Sequence, residues 1–206
     1  MTLAKALKAL PKVDKDFAKF MKISPQCELG EGEPPYRNHF ETLMKAVVSQ
    51  QISTKAADSI TQKLSILIND DFSPSTLLSA PHDGLRGAGL SGAKARTVTE
   101  LAEAIISGRI CVDEFEEMPD DEIMAALTQV WGIGRWTVEM FLMFSLARLD
   151  VWPSGDLGVR RGWSLIKGEP MLDVKALEPL GEPFRPYRSV VAWYCWQATD
   201  LLKEPK

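Results

Sequence analysis

Apolar residues recur along this chain at intervals of three and four, and almost nowhere at intervals of two. Between His39 and Gln51, the residues Phe40, Leu43, Met44, Val47 and Val48 fall on one face of a 3.6-residue helix, the stripe of a core-facing element. Comparable stripes run from Thr54 through Leu64, from Ala93 through Ile106, from Asp121 through Val130, and from Arg135 through Leu146. Helix-start signals agree. Ser73-Pro74 supplies a side-chain cap and then a proline whose missing N–H has no partner to lose in the first turn, and Pro119-Asp120-Asp121 sets acids at the positive end of the next helix. The pattern predicts an all-α fold. The glycine- and proline-rich run Gly30 to Pro35 closes a helical arm and loop over residues 1–37. A core over 38–206 follows, a ring of short helices that can split into two lobes, with the chain's ends on one and its middle on the other.

Length and composition narrow the class. At 206 residues the chain suits one compact domain or two small lobes, and 45% hydrophobic with 25% charged residues fits neither a disordered nor a fibrous chain. No run of eighteen uncharged apolar residues occurs, and the segment from Met1 to Pro11 carries Lys5 and Lys8 without an apolar signal core, so a soluble protein with no membrane partner is expected. Cys27, Cys111 and Cys195 lie too far apart for a disulfide framework or a metal knuckle, which points to a reducing compartment. His39 and His82 are too few for a histidine-rich zinc site. Catalysis, if there is any, therefore rests on carboxylates, hydroxyls or lysines.

The net charge of −4 argues against indiscriminate polyanion binding. Its distribution reopens the question: seven acids and no base lie between Cys111 and Glu122, and the remainder of the chain carries +3. Arg86, Lys94 and Arg96 cluster without an acid between Leu85 and Thr97, and Arg135, Arg148, Arg160, Arg161 and Lys167 dominate from Trp131 to Gly168. A small basic face and an ordinary mixed surface both fit these numbers.

Two segments carry candidate chemistry. In Val130-Trp131-Gly132-Ile133-Gly134-Arg135-Trp136-Thr137, two glycines make the turn between helices and leave backbone N–H groups uncovered at a helix start, where a phosphate can sit. A tight helix-helix connection would use the same glycines for geometry alone. One helix later comes Asp150-Val151-Trp152-Pro153-Ser154-Gly155-Asp156, where Asp156 precedes the helical run from Leu157 to Ile166 and can act as its N-cap.

Taken together, Val130 to Gly162 resembles the helix-hairpin-helix and Gly-Pro-Asp superfamily of DNA glycosylases. Val48-Ser49-Gln50-Gln51-Ile52-Ser53 with Lys55-Ala56-Ala57, and Tyr187-Arg188-Ser189 leading to Trp193 and Trp196, are similar to its 3-methyladenine DNA glycosylase II branch. The likeness covers roughly residues 38 to 200 and implies a two-lobed all-α fold with the helix-hairpin-helix motif and Asp156 beside a central cleft. It implies a monofunctional enzyme of base excision repair that hydrolyses the N-glycosidic bond of alkylated purines, such as 3-methyladenine and 7-methylguanine, in duplex DNA and leaves an abasic site. A non-catalytic helix-hairpin-helix module that grips DNA, and a glycosylase for oxidised or deaminated bases, are the alternatives.

The resemblance also assigns roles. Asp156 becomes the catalytic carboxylate, beside a sugar that turns cationic as the base leaves. Trp136, Met140 and Trp196 line the base pocket, where stacking of a cationic base on indole adds about 0.5 to 2 kcal/mol; core packing is the other reading of all three. Gln51 is the side chain that fills the gap left by the flipped nucleotide, or else part of a polar helix end. Ser53, Gly132, Gly134, Arg135, Thr137 and Arg160 contact the DNA backbone, with Lys94, Arg96 and Arg161 as further cationic contacts, and Thr137 caps its helix. Trp136 stands where strand-cleaving relatives carry a lysine, so no lyase activity is expected. Cys195 alone cannot hold an iron-sulfur cluster. A structural sodium or potassium ion would sit on the carbonyls of Thr128, Val130 and Ile133, and no other cofactor is implied. A monomer is expected, in the cytoplasm of a prokaryote or the nucleus of a eukaryote.

Overall fold

The period of three and four governs the structure throughout. The computed structural model describes residues 2–31 and 38–202, and over these residues it contains helices, turns and no strand. The α-helices are numbered α1 to α12 in chain order. They fall into two units, one made of Met1–Glu33 with Ala147–Lys206 and the other of Pro34–Leu146. None is long and apolar enough to cross a membrane.

The first unit holds α1 (Leu3–Val13), α2 (Lys15–Phe20), α10 (Leu157–Lys167), α11 (Val174–Leu177) and α12 (Arg188–Leu201). The N-terminal helices belong to its core. Phe17 of α2 packs against Trp163 and Phe184 with ring centroids 5.4 Å from each, and Phe20 meets Tyr194 edge-on. Lys167 in the last turn of α10 bridges Asp14 and Asp16 at 2.8 and 2.9 Å, tying the start of α2 to the end of α10. The pairing of α10 with α12 depends on an absent side chain: a Cβ at Gly162 would lie 1.8 Å from the Cys195 carbonyl oxygen, so the two helices meet backbone to backbone.

The second unit holds α3 (His39–Ser49), α4 (Thr54–Leu67), α5 (Pro74–Ser79), α6 (His82–Gly87), α7 (Gly92–Ile106), α8 (Asp120–Leu127) and α9 (Arg135–Phe144). Its core is the apolar stripe of α3 (Phe40, Leu43, Met44, Val47, Val48) set against Val98 and Leu101 of α7 and Val138, Phe141 and Leu142 of α9, all buried. Phe141 is the centre of an aromatic cluster with Phe115 and His39, and its truncation to alanine would cost about 3–5 kcal/mol.

Three helix ends differ from the periodicity. The stripe over Asp121 to Val130 ends as helix at Leu127, beyond which the Gln129 and Val130 N–H groups bond three residues back, to the Ala126 and Leu127 carbonyls; Val130 is apolar because it is buried in the following turn. Helix α3 stops at Ser49, short of Gln51, whose φ of 56° lies in the left-handed region. Helix α9 closes at Phe144, where Ser145 and Leu146 N–H groups both bond to the Phe141 carbonyl.

Candidate active site and DNA-binding surface

In the first unit, the loop from Leu149 to Asp156 is fastened at both ends by α12. Near its start, the buried Ser189 hydroxyl accepts the Val151 N–H at 2.8 Å and donates to the Arg148 carbonyl at 2.6 Å. Arg188 donates from Nε to Asp150 Oδ1 at 2.7 Å and from Nη2 to the Asp150 carbonyl at 2.8 Å. Midway, Trp152 is buried against Gly181, where any Cβ would strike the indole within 2.6 Å, and Ser154 donates to the Glu178 carboxylate. A tight turn follows, with the Asp156 N–H on the Pro153 carbonyl at 2.9 Å.

That turn delivers Asp156 half-buried at the N-terminus of α10. Its Oδ1 accepts the Val159 N–H and the Trp196 indole N–H, both at 2.8 Å. The cap and the held carboxylate are thus one arrangement, because a helix N-terminus favours negative charge without neutralising it. Behind it, burial pushes the Cys195 thiol well above its ordinary pKa and the Asp156 charge adds to the effect, so that sulfur stays protonated and inert.

In the second unit, the hairpin between α8 and α9 is held by α7. Gly132 has φ 83°, and a Cβ there would fall 2.1 Å from Thr97 Oγ1, so only glycine fits the turn. The Glu100 carboxylate accepts the Trp131 N–H at 3.1 Å, and the Arg96 guanidinium lies 4.3 Å over the half-exposed Trp131 ring. Gly132, Gly134 and Arg135 are exposed along one stretch, and the Arg135 side chain, 70% accessible, pairs with buried Glu139 at 2.7 Å. This is a surface that can take a phosphate on backbone N–H groups.

Three other residues read as DNA contacts, Thr137, Lys94 and Arg160, are engaged by groups of the protein itself. Thr137 is buried and does not cap α9; Gly134 is the N-cap without any side-chain bond, and the Thr137 hydroxyl instead receives the Gln50 Nε2 at 2.9 Å. Lys94 spends its ammonium on the carbonyls of Val48 and Gln50, at 2.7 Å each. Arg160 is half-buried, its Nε on the Leu172 carbonyl at 2.8 Å. Gln51 is exposed beside half-exposed Ile52, and Ser53 caps α4 by accepting the Ala56 N–H at 3.3 Å. Met140 is buried at 8% exposure on a helix apolar nearly all round, whereas Trp136 and Trp196 are half-buried in their own units.

Gln50 carries no assigned role in the sequence reading, yet it also donates to the Gly132 carbonyl at 3.0 Å. Arg188 and Ser189, which have no role assigned from the sequence, anchor the aspartate loop.

Comparison with known proteins shows the family. Residues 44–179 match the family model of the HhH-GPD superfamily base excision DNA repair protein. The chain is 35% identical over 208 residues to DNA-3-methyladenine glycosylase 1 of Schizosaccharomyces pombe, covering 97% of this chain and 89% of the relative. It is 30% identical to the alkylbase DNA glycosidase-like protein mag2 of the same yeast, over 96% of this chain and 94% of the relative. The solved structure of the S. pombe 3-methyladenine DNA glycosylase in complex with abasic DNA is similar with a TM-score of 0.90 at 33% identity, covering 98% of this chain and all 100% of that one. The chain belongs to the HhH-GPD superfamily of base excision DNA repair proteins.

Proposed function

We propose that this protein is a monofunctional DNA glycosylase that removes 3-methyladenine and 7-methylguanine from duplex DNA and leaves an abasic site. The observation that carries the reading is the Asp156 carboxylate, fixed by the Val159 N–H and the Trp196 indole at the end of a loop anchored by α12. The two S. pombe relatives, named for 3-methyladenine and alkylbase glycosylase activity, support the substrate class.

An N3- or N7-methylated purine is already cationic, so its glycosidic bond breaks without a general acid. The bonding electrons leave with the base, which departs neutral, and positive charge develops on C1′ and the ring oxygen of the sugar. Asp156 stabilises that charge and accepts a proton from the water that attacks C1′. Trp136 and Trp196 present indole faces that favour a cationic base over an ordinary one. Because the residue at position 136 is tryptophan, no amine is available there to form a Schiff base, and the reaction ends at the abasic site.

On the DNA side, the hairpin amides around Gly132 and Gly134, with Arg135, receive a backbone phosphate, and Gln51 enters the space vacated by the flipped nucleotide. The carbonyls of Thr128, Val130 and Ile133 are the donors for a monovalent cation. Val130 already accepts the Ile133 N–H at 3.1 Å, which leaves a second lone pair to an ion. When bound, the ion would add positive potential beside the phosphate. The protein acts as a monomer on one lesion at a time. Incubation with methylated duplex and chromatography of the freed bases tests the reading. Release of 3-methyladenine and 7-methylguanine is expected, and DNA binding without any released base would leave a gripping module instead.

A further inference from the structure

Helix α7 touches two separate loops of the second unit. Toward the hairpin it presents Thr97 against Gly132, Glu100 to the Trp131 N–H, and Arg96 over the Trp131 ring. One turn earlier, Lys94 sends its ammonium to the carbonyls of Val48 and Gln50. These carbonyls lie at the C-terminal end of α3, where helix carbonyls lack partners and the helix dipole is negative. The very next residue is Gln51, a non-glycine held at φ 56°. Gln50, between them, spans to the hairpin through Nε2, on the Gly132 carbonyl and the Thr137 hydroxyl.

We propose that Lys94 is a positioning residue for nucleotide extrusion: by gripping the Val48 and Gln50 carbonyls it holds Gln51 in its left-handed turn, at a fixed reach from the hairpin that grips the phosphate. The proposal rests on the reading of Gln51 as the gap-filling side chain. A left-handed conformation at glutamine is disfavoured unless the surroundings impose it. Here the imposing contact is an ammonium with two of its donors committed to the turn, and burial lowers its pKa from the ordinary lysine value, as expected of a group serving the interior and not solvent. Without it, the turn relaxes toward extended backbone and the Gln51 side chain swings from its place, while Asp156, on another unit, is untouched.

The test uses the full chain with Lys94→Met, Lys94→Arg and Gln51→Ala, and one lesion in two settings: 7-methylguanine opposite cytosine, and the same base opposite a mismatched thymine, where extrusion is already easier. Single-turnover base release by Lys94→Met should fall about tenfold on the paired duplex and about threefold or less at the mismatch. Lys94→Arg, which keeps a cation and several donors, should recover most of the loss. Amide hydrogen exchange at Gln51, Ile52 and Ser53 should quicken in Lys94→Met alone. A Lys94→Met enzyme as fast as wild type on the paired duplex, or slowed equally on both, overturns the proposal. If Gln51→Ala shows the paired-over-mismatched loss and Lys94→Met does not, the positioning role fails while the gap-filling reading stands; if Gln51→Ala matches wild type on both duplexes, the gap-filling reading fails and takes the proposal with it. Should Lys94→Met lose its cooperative thermal transition, Lys94→Gln, which keeps a neutral amide donor group, is read against the same outcomes.

Discussion

Trp196 reaches Asp156 because residue 158 has no side chain. The indole N–H bonds to Asp156 Oδ1 at 2.8 Å, and a Cβ at Gly158 would stand 2.7 Å from the indole Cδ1 and 3.1 Å from that same oxygen. Helix α12 therefore does two things to the carboxylate. Arg188 and Ser189, at its start, pin the loop that brings Asp156 in, and Trp196, two turns on, sets the orientation of the oxygen. In the mechanism proposed above, a carboxylate already held in place needs no reorganisation when charge appears on the sugar, which is where electrostatic catalysis gains most.

Replacing Trp196 with phenylalanine separates that hydrogen bond from the aromatic surface. The ring face for a cationic base is retained in part, and the donor to Asp156 is lost. Base release under single turnover should fall about tenfold or more, with a smaller change in affinity for methylated duplex. A variant weakened only in binding would make Trp196 a stacking surface and nothing else.

The two roles of Asp156 come apart in a pair of variants. Asparagine caps a helix as well as aspartate does and can still accept from Val159 and Trp196, so Asp156→Asn should melt within a degree or two of wild type, bind DNA nearly as well and release no base. Alanine removes the cap too, and Asp156→Ala should lose a further ~1 kcal/mol in chemical denaturation. Appreciable base release by the asparagine variant would remove this carboxylate from the chemistry.

The close packing of α10 on α12 makes Gly162 the most sensitive small residue in the first unit. Its Cβ would meet backbone, which cannot rotate aside, with Cys195 O, C and Cα all within 2.6 Å. Gly162→Ala should lose about 3 kcal/mol or more, read from the denaturant midpoint, or fail to accumulate as folded protein. Gly87, the last residue of α6, whose added Cβ would meet nothing within 4 Å and whose φ is not positive, is the matched control, and Gly87→Ala should change stability by less than about 1 kcal/mol.

Helix positions could be read from the sequence because burial repeats with the helical period, as in α3 and α7. What could not be read was the partner of each polar side chain. Lys94, Thr137 and Arg160 look like surface groups in a string of letters, yet Lys94 and Arg160 donate to backbone carbonyls, which carry no side-chain signature, and the Thr137 hydroxyl accepts from the side-chain amide of Gln50, distant in sequence. The Val130 end of α8 failed for a related reason: burial in a turn and burial on a helix leave the same apolar residue. A motif marks Asp156 in the sequence, whereas its hold by Trp196 depends on the empty space at Gly158.

At position 136 the prediction is chemical. A lyase traps its sugar as a Schiff base that borohydride reduces to a permanent protein–DNA adduct, and this needs an amine at the reacting carbon. With tryptophan there, incubation of methylated duplex with borohydride should yield no adduct, and strand breaks should appear only after alkali. An adduct would point to another lysine in the site.

The Lys167 bridge makes stability depend on pH in a defined direction. Burial works to raise Asp14, but the Lys167 hydrogen bond and the N–H groups of Phe17 and Asp16 outweigh it and hold its carboxyl below the ordinary value; Asp16 is lowered chiefly by its own Lys167 hydrogen bond. Burial works to lower Lys167, and its bonds to the two aspartates outweigh that and raise it. The depressed carboxylates contribute stability that is present above their unfolded range, near pH ~4, and is lost as pH falls through the folded values. The raised ammonium contributes stability that is present below about pH 10.4 and is lost as pH rises through its folded value. Lys167→Met should therefore melt lower than wild type across the neutral range, and the gap should close below pH ~4 and again at strongly alkaline pH. A gap that stays constant from pH 3 to pH 8 would mean that Lys167 supports the junction of α2 and α10 by packing alone, with no contribution from its charge.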